Sequence, residues 1–341
     1  MRHSIYRFQH VLSVTLIAVA GLTGTMALPT QAAAPPVLRQ APGYYRMMVG
    51  DFEVTALLDG THDFPVDEVM TNARPGQVAR LLRSSVLKPP VEGSINAFLV
   101  NTGRRLILID SGAGVLYGAD GGHLLANLRA AGYAPEQVDE VYLTHLHRDH
   151  VGGVNSNGAM AFPNATVRVS GVDAAYWLNR ANQASAPAYL SSMFDGAIDS
   201  LAPYVAAGRL VPFQSAGELS PGIRAIPSAG HTPGHSWYAI ESRGEKLVVW
   251  GDMVHVAAVQ FPAPAIRVKY DSDADAAERE RRLIFADASK RGYWVAAAHI
   301  SFPGIGHVRL VGRVYEWLPA SYTTRFPAPS SAAAAKPDGR Q

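Results

Sequence analysis

The sequence predicts a mixed α/β chain, with short buried strands alternating with helices in two similar halves. Three observations carry this. Short apolar runs end repeatedly in histidine or aspartate: Val141-Tyr-Leu143 leads into Thr144-His-Leu-His-Arg-Asp-His-Val-Gly-Gly153, Lys246–Trp250 is followed by Asp252, and Tyr293–Ala298 by His299. Turn dipeptides separate paired runs, and longer amphipathic stretches lie between them.

In chain order, residues 1–33 carry Arg2 and Arg7, an apolar stretch from Val11 to Leu28 and then Thr30-Gln-Ala-Ala. This is the pattern of a secretory leader cleaved near Ala32 or Ala33, and the competing reading is a single membrane anchor. Cleavage implies a periplasmic or secreted protein without stable membrane insertion. Residues 34–45, rich in Pro and Ala, predict an extended arm, and 46–325 the catalytic domain. Strands are expected at Phe52–Leu58, Asn96–Val100 and Arg105–Ile109, the last two joined at Asn101-Thr-Gly. Gly122–Ala131 reads as a helix. A second hairpin pairs Trp237–Glu241 with Lys246–Trp250 around Arg243-Gly244 and delivers Asp252 at its far end. Asp271-Ser-Asp then opens a capped helix from Ala274 to Lys290, stopped by Gly292. Residues 326–341 have the composition of a disordered tail.

The decade at 144–153 carries the chemistry. His145, His147, Asp149 and His150 come directly after a buried strand, so several imidazoles and a carboxylate converge on one point. Such donors suit zinc and its first-row neighbours. A polar loop with chance histidines is the competing reading, and the fixed H-x-H-x-D-H spacing argues against it. Further donors are His231 (His-Thr-Pro-Gly-His), Asp252 and His299.

This order of ligands resembles the metallo-β-lactamase superfamily with a complete dinuclear set. The resemblance implies one metal on His145, His147 and His231, a second on Asp149, His150 and His299, and Asp252 between them. It also implies that Asp110, in Leu106-Ile-Leu-Ile-Asp-Ser-Gly, orients a ligand. His235, four residues past His231, is expected beside the ligands. The implied fold is the four-layer αβ/βα sandwich, with ligands at strand ends between two sheets. Ala41-Pro-Gly-Tyr-Tyr-Arg-Met, Gly50-Asp-Phe-Glu-Val-Thr-Ala-Leu, Ala131-Gly-Tyr, Ala258-Val-Gln-Phe and Ser301-Phe-Pro-Gly-Ile-Gly-His resemble more narrowly the group of methyl parathion hydrolase, over nearly all of 40–325. Arg148 departs from that group, where proline is common, and is expected to face solvent.

Composition narrows the function. Without the leader, 28 basic residues face 28 acidic ones, and no Lys/Arg-rich run offers a footprint for nucleic acid. Cysteine is absent, which removes thiolate ligands and any cysteine nucleophile. Lactamases of the superfamily carry Cys or Ser where this chain has Asp252, which argues against β-lactam hydrolysis. Ser85-Val-Leu-Lys88 matches S-x-x-K without the motifs that accompany it in serine enzymes.

A helical insertion is expected at about 171–208, carrying Tyr176, Trp177, Tyr189, Phe194 and Tyr204. Aromatics at helical spacing read either as packing core or as a pocket wall. The resemblance points to a substrate pocket formed by Trp177 and Phe194, with His255 and Phe261 joining it just past Asp252. His62, His123 and His307 have no partner pattern and read as surface or satisfied residues.

The expected protein is therefore a dinuclear metallohydrolase, with Asp149 and Asp252 as catalytic carboxylates. Two ions, zinc first, with manganese, cobalt or iron also compatible, would share a bridging hydroxide. The ligand set alone points to metal-assisted hydrolysis; the resemblance implies aryl phosphotriesters of the methyl parathion kind as substrates, with aryl esters or lactones beside them. The alternatives are a lactonase acting on N-acyl homoserine or aryl lactones with incidental phosphotriesterase activity, and, less favoured, a mononuclear iron oxidoreductase acting on sulfur compounds. A homodimer is expected by likeness.

Overall fold

The computed structural model describes residues 34–326; the leader 1–33 and residues 327–341 of the predicted tail lie outside the described residues. The chain divides into units 1–40 and 41–341. In the first, residues 34–40 carry no helix or strand.

Two sheets of matching design make up the centre of the second unit. The first sheet has six strands in sequential order: β1 (Tyr44–Val49), β2 (Phe52–Phe64), β3 (Val91–Asn101), β4 (Leu106–Ile109), β5 (Glu140–Tyr142) and β6 (Thr166–Arg168). An antiparallel meander runs from β1 to β4, and the β4–β5 and β5–β6 pairs are parallel. The second sheet has seven: β7 (Gly217–Ser220), β8 (Ile223–Pro227), β9 (Ser236–Ser242), β10 (Glu245–Val249), β11 (Trp294–Ala296), β12 (Ile305–Val311) and β13 (Val314–Pro319). Only its β10–β11 pair is parallel. The expected hairpin at Arg243-Gly244 is present, both turn residues having the positive φ that such a two-residue turn requires (53° and 81°).

Layering results from the apolar faces. Val54, Phe98, Ile107 and Ile109 of the first sheet meet Ile223, Tyr238, Ile240 and Val249 of the second in one core. The other face of the first sheet packs on helices Leu124–Ala130 and Ser191–Ala206, and that of the second on helix Ala274–Arg291. This is the four-layer αβ/βα sandwich. Asp273 caps the last helix by accepting from the Ala276 amide, and Gly292 ends it at φ 68°. The expected insertion is three helices, Gly171–Trp177, Arg180–Ser185 and Ser191–Ala206. Ligand-bearing loops leave the carboxyl ends of β5, β10 and β11, so both halves aim at one seam.

Candidate metal centre

Four of the five ligand imidazoles, His145, His150, His231 and His299, are each fixed by an outer hydrogen bond. After β5 the chain turns at Thr144, whose amide and hydroxyl bond to Asp110. Asp110 closes β4 with φ 58°, a left-handed conformation costly for a non-glycine residue. Its Oδ2 lies 2.9 Å from His150 Nδ1, in the ligand-orienting position expected for it. Three further rings are held alike: His145 Nδ1 by the Thr144 hydroxyl at 3.0 Å, His231 Nδ1 by Asp271 at 2.9 Å, and His299 Nδ1 by the Ser94 carbonyl at 3.0 Å.

The free edges converge on Asp252. Its Oδ1 lies 3.1 Å from both His150 Nε2 and His299 Nε2, and its Oδ2 lies 3.1 Å from His231 Nε2 and 3.7 Å from His145 Nε2. His147 joins through Nδ1, 3.0 Å from His231 Nε2, and Asp149 Oδ2 is 3.5 Å from His299 Nε2. Two groups result, His145–His147–His231–Asp252 and Asp149–His150–His299, and the donor atoms within each lie within 4.8 Å of one another. All seven residues predicted from sequence are thus brought together and buried. His235, also predicted, accepts the Asp252 amide at 3.2 Å. Gly251 makes that approach possible, since a Cβ there would sit 2.5 Å from His235 Nε2.

Without a metal the electrostatics of the cluster are strained. Burial and the crowding of His150 push His145 well below its ordinary pKa, and burial with His231 does the same to His147. Burial also opposes charge on His231, yet Asp252 and Asp271 outweigh it and hold that ring up to about 9. Asp252 is itself buried, and His150 and His299 nevertheless keep it well below the usual carboxylate range. His145 Nε2, His150 Nε2 and Asp252 Oδ1 are buried without any hydrogen-bond partner. Orphaned, convergent imidazole nitrogens and a carboxylate oxygen fit divalent cations of the zinc type, which displace whatever protons the rings carry.

The substrate-wall predictions divide. His255 lines the cavity above the cluster, its Nε2 3.1 Å from Asp252 Oδ2, and it forms a further candidate group with Asp252 and His299. Trp177, Phe194 and Phe261, contrary to expectation, do not line it. Trp177 and Phe194 are fully buried with ring centroids 4.5 Å apart, and Trp177 backs the His147 ring at 4.9 Å. They face the helix–sheet core because that is where the apolar face of their helices is spent. Phe261 stacks on Phe285 at 4.8 Å, behind the second sheet.

The cavity, about 560 Å³, is walled instead by His62, Phe64, Tyr117, Met193 and Tyr270, with Arg148 and Asp149 beside the cluster. Arg148 does not face solvent as expected; it is half-buried, its guanidinium carbon 4.6 Å from the Tyr117 ring centroid. His62 is a pocket residue that sequence reasoning missed: its ring meets Tyr117 edge-on at 5.4 Å, and burial and His299 lower its pKa. Asp271, read only as part of a helix start, proves to hold His231. Among the remaining histidines, His123 is exposed and the His307 ring packs against Trp294 at a tilt, with centroids 3.8 Å apart.

A sheet sandwich with buried His/Asp clusters at its seam defines a metal-dependent hydrolase. The sequence profile of the metallo-beta-lactamase superfamily matches residues 90–299, and the chain belongs to that superfamily. It is similar to the crystal structure of hydrolase AbOPH in the beta lactamase superfamily, at 40% identity over 84% of this chain and 100% of that one, with a TM-score of 0.80. The dizinc quorum-quenching lactonase AidC, in complex with a product, shares the fold at 24% identity, 83% and 99% coverage and a TM-score of 0.76. So does a probable metal-dependent hydrolase from Staphylococcus aureus, at 21% identity, 82% and 100% coverage and a TM-score of 0.68. No curated protein matches the chain.

Proposed function

We propose that the protein hydrolyses aryl esters and lactones at a dinuclear metal centre, with aryl phosphotriesters as a second substrate class. The observation that carries this reading is the seven-residue cluster opening onto a cavity with an aromatic wall. His145, His147 and His231 would hold one ion, Asp149, His150 and His299 the other, and Asp252 offers one oxygen to each side. When bound, two such ions acidify a water and polarise the oxygen of an electrophile. Zinc suits these nitrogen and oxygen donors.

The chain's own residues do the rest. Asp110, Asp271, Thr144 and the Ser94 carbonyl fix the ring orientations, so little reorganisation remains at reaction. Phe64, Tyr117 and Tyr270 form a wall suited to an aryl group or a lactone ring. Asp149 lines the cavity, placed to carry a proton to a departing alkoxide; a phenolate leaves without one. Lactones are favoured by the likeness to AidC, a lactonase bound to its product. Phosphotriesters are favoured by the sequence resemblance to the methyl parathion hydrolase group.

The deciding experiment compares kcat/KM of the zinc-loaded protein for dihydrocoumarin and methyl parathion. Lactone turnover well above phosphotriester turnover is expected. The reverse order makes phosphotriesters the primary class, and loss of neither activity on chelation overturns the metal reading.

A further inference from the structure

Arg148 lines the cavity between two residues of the cluster, His147 and Asp149, and carries a charge that no neighbouring carboxylate pairs. Its guanidinium lies over the Tyr117 ring, and its Nε is buried without a hydrogen-bond partner. Among the described residues no carboxylate lies within 4.0 Å of it, whereas Arg267 and Arg282 are each paired with Glu278. The stem is confined: a Cβ on Gly196 would stand 2.9 Å from Arg148 Cβ, so helix Ser191–Ala206 presses against it. Lys269 adds a second unpaired ammonium at the exposed rim, 5.6 Å from the Tyr270 ring centroid. Asp63 and Asp120 are exposed carboxylates that also line the cavity and set a limit on where an anion can sit.

A guanidinium supported on an aromatic face keeps its edge available, and that planar fork matches the oxygens of a carboxylate or phosphate. We propose that Arg148 is a specificity-determining residue that selects substrates carrying an oxyanion group remote from the bond cleaved. The inference rests on the hydrolase reading for the bond broken, and it adds the substrate's charge, which the metal cluster alone does not specify.

The test uses the zinc-loaded protein and two aryl acetates, para-acetoxybenzoate and its neutral methyl ester. Wild-type protein is expected to favour the carboxylate, and R148Q to lower the ratio of the two kcat/KM values about tenfold. Lys269→Gln should lower the same ratio less, because its ammonium is exposed and screened. Calorimetric binding of para-hydroxybenzoate against its methyl ester should show the same loss in R148Q. A wild-type preference for the neutral ester overturns the proposal without any variant, as do ratios unchanged in R148Q. If wild-type protein cleaves neither ester, the hydrolase reading fails, and the calorimetric comparison still decides the role of Arg148.

Discussion

Asp271 Oδ1 lies 2.9 Å from His231 Nδ1, and this contact joins the start of the last long helix to the metal cluster. The carboxylate is buried, and His231 still holds its pKa below the ordinary value. Its other oxygen lies 4.0 Å from Arg281, which donates to the Met253 carbonyl next to Asp252. Removing such an outer partner typically costs ~10–100-fold in metal affinity. Asp271→Ala is therefore expected to lower affinity for one of two ions in that range, as read by competition with a chromogenic chelator. Unchanged affinity would mean that His231 is held by packing alone.

Asp252→Ala is the harsher change. Five imidazole nitrogens, from His145, His150, His231, His255 and His299, lie within 3.7 Å of this one carboxylate. Without it no group offers an oxygen to both triads. Turnover should fall to background and metal content below that of the wild type, measured by elemental analysis. Full activity in the variant would sink the dinuclear scheme.

Most ligands are legible in the sequence because they share one motif or come directly after a recognisable strand, while His231 enters through its His-Thr-Pro-Gly-His motif and the resemblance. His145, His147, Asp149 and His150 share one turn, and Asp252 and His299 each end an apolar run. Asp271 is not legible as a partner of His231, since forty residues separate them and only the packing of the last helix joins them. The wall differs from expectation at Trp177 and Phe194 because composition identifies a helix without fixing its rotation, and these rings turn inward. His62 and Arg148 escape a sequence reading for a related reason. Whether a residue at the end of β2, or the one between two ligands, looks into a cavity depends on the opposite half of the molecule.

Protons and metals compete for the cluster, which gives a signed pH prediction. His231 is held up to about 9 in the metal-free protein and is therefore protonated at neutral pH. A ligand nitrogen must be deprotonated, so metal binding at pH 7 should release a proton from it. Affinity should rise as pH approaches 9 and level off above that value as far as His231 is concerned. Calorimetric titrations in buffers of different ionisation enthalpy measure the release. Zero net release at pH 7 would show that Asp252 and Asp271 do not hold His231 protonated.

Trp177 and Tyr270 separate core from wall by opposite responses. Trp177 is fully buried between His147 and Phe194, so Trp177→Ala leaves a large void and should cost ~3–5 kcal/mol of stability. Tyr270 is partly buried and lines the cavity, so Tyr270→Ala should move stability little, by about 0.5 kcal/mol, and raise KM for an aryl substrate. Thermal unfolding and steady-state kinetics on both variants read the two effects separately. Because Trp177 also supports the His147 ring, its loss should lower metal content along with Tm. A Trp177→Ala protein with unchanged Tm and a raised KM would return that ring to the substrate wall.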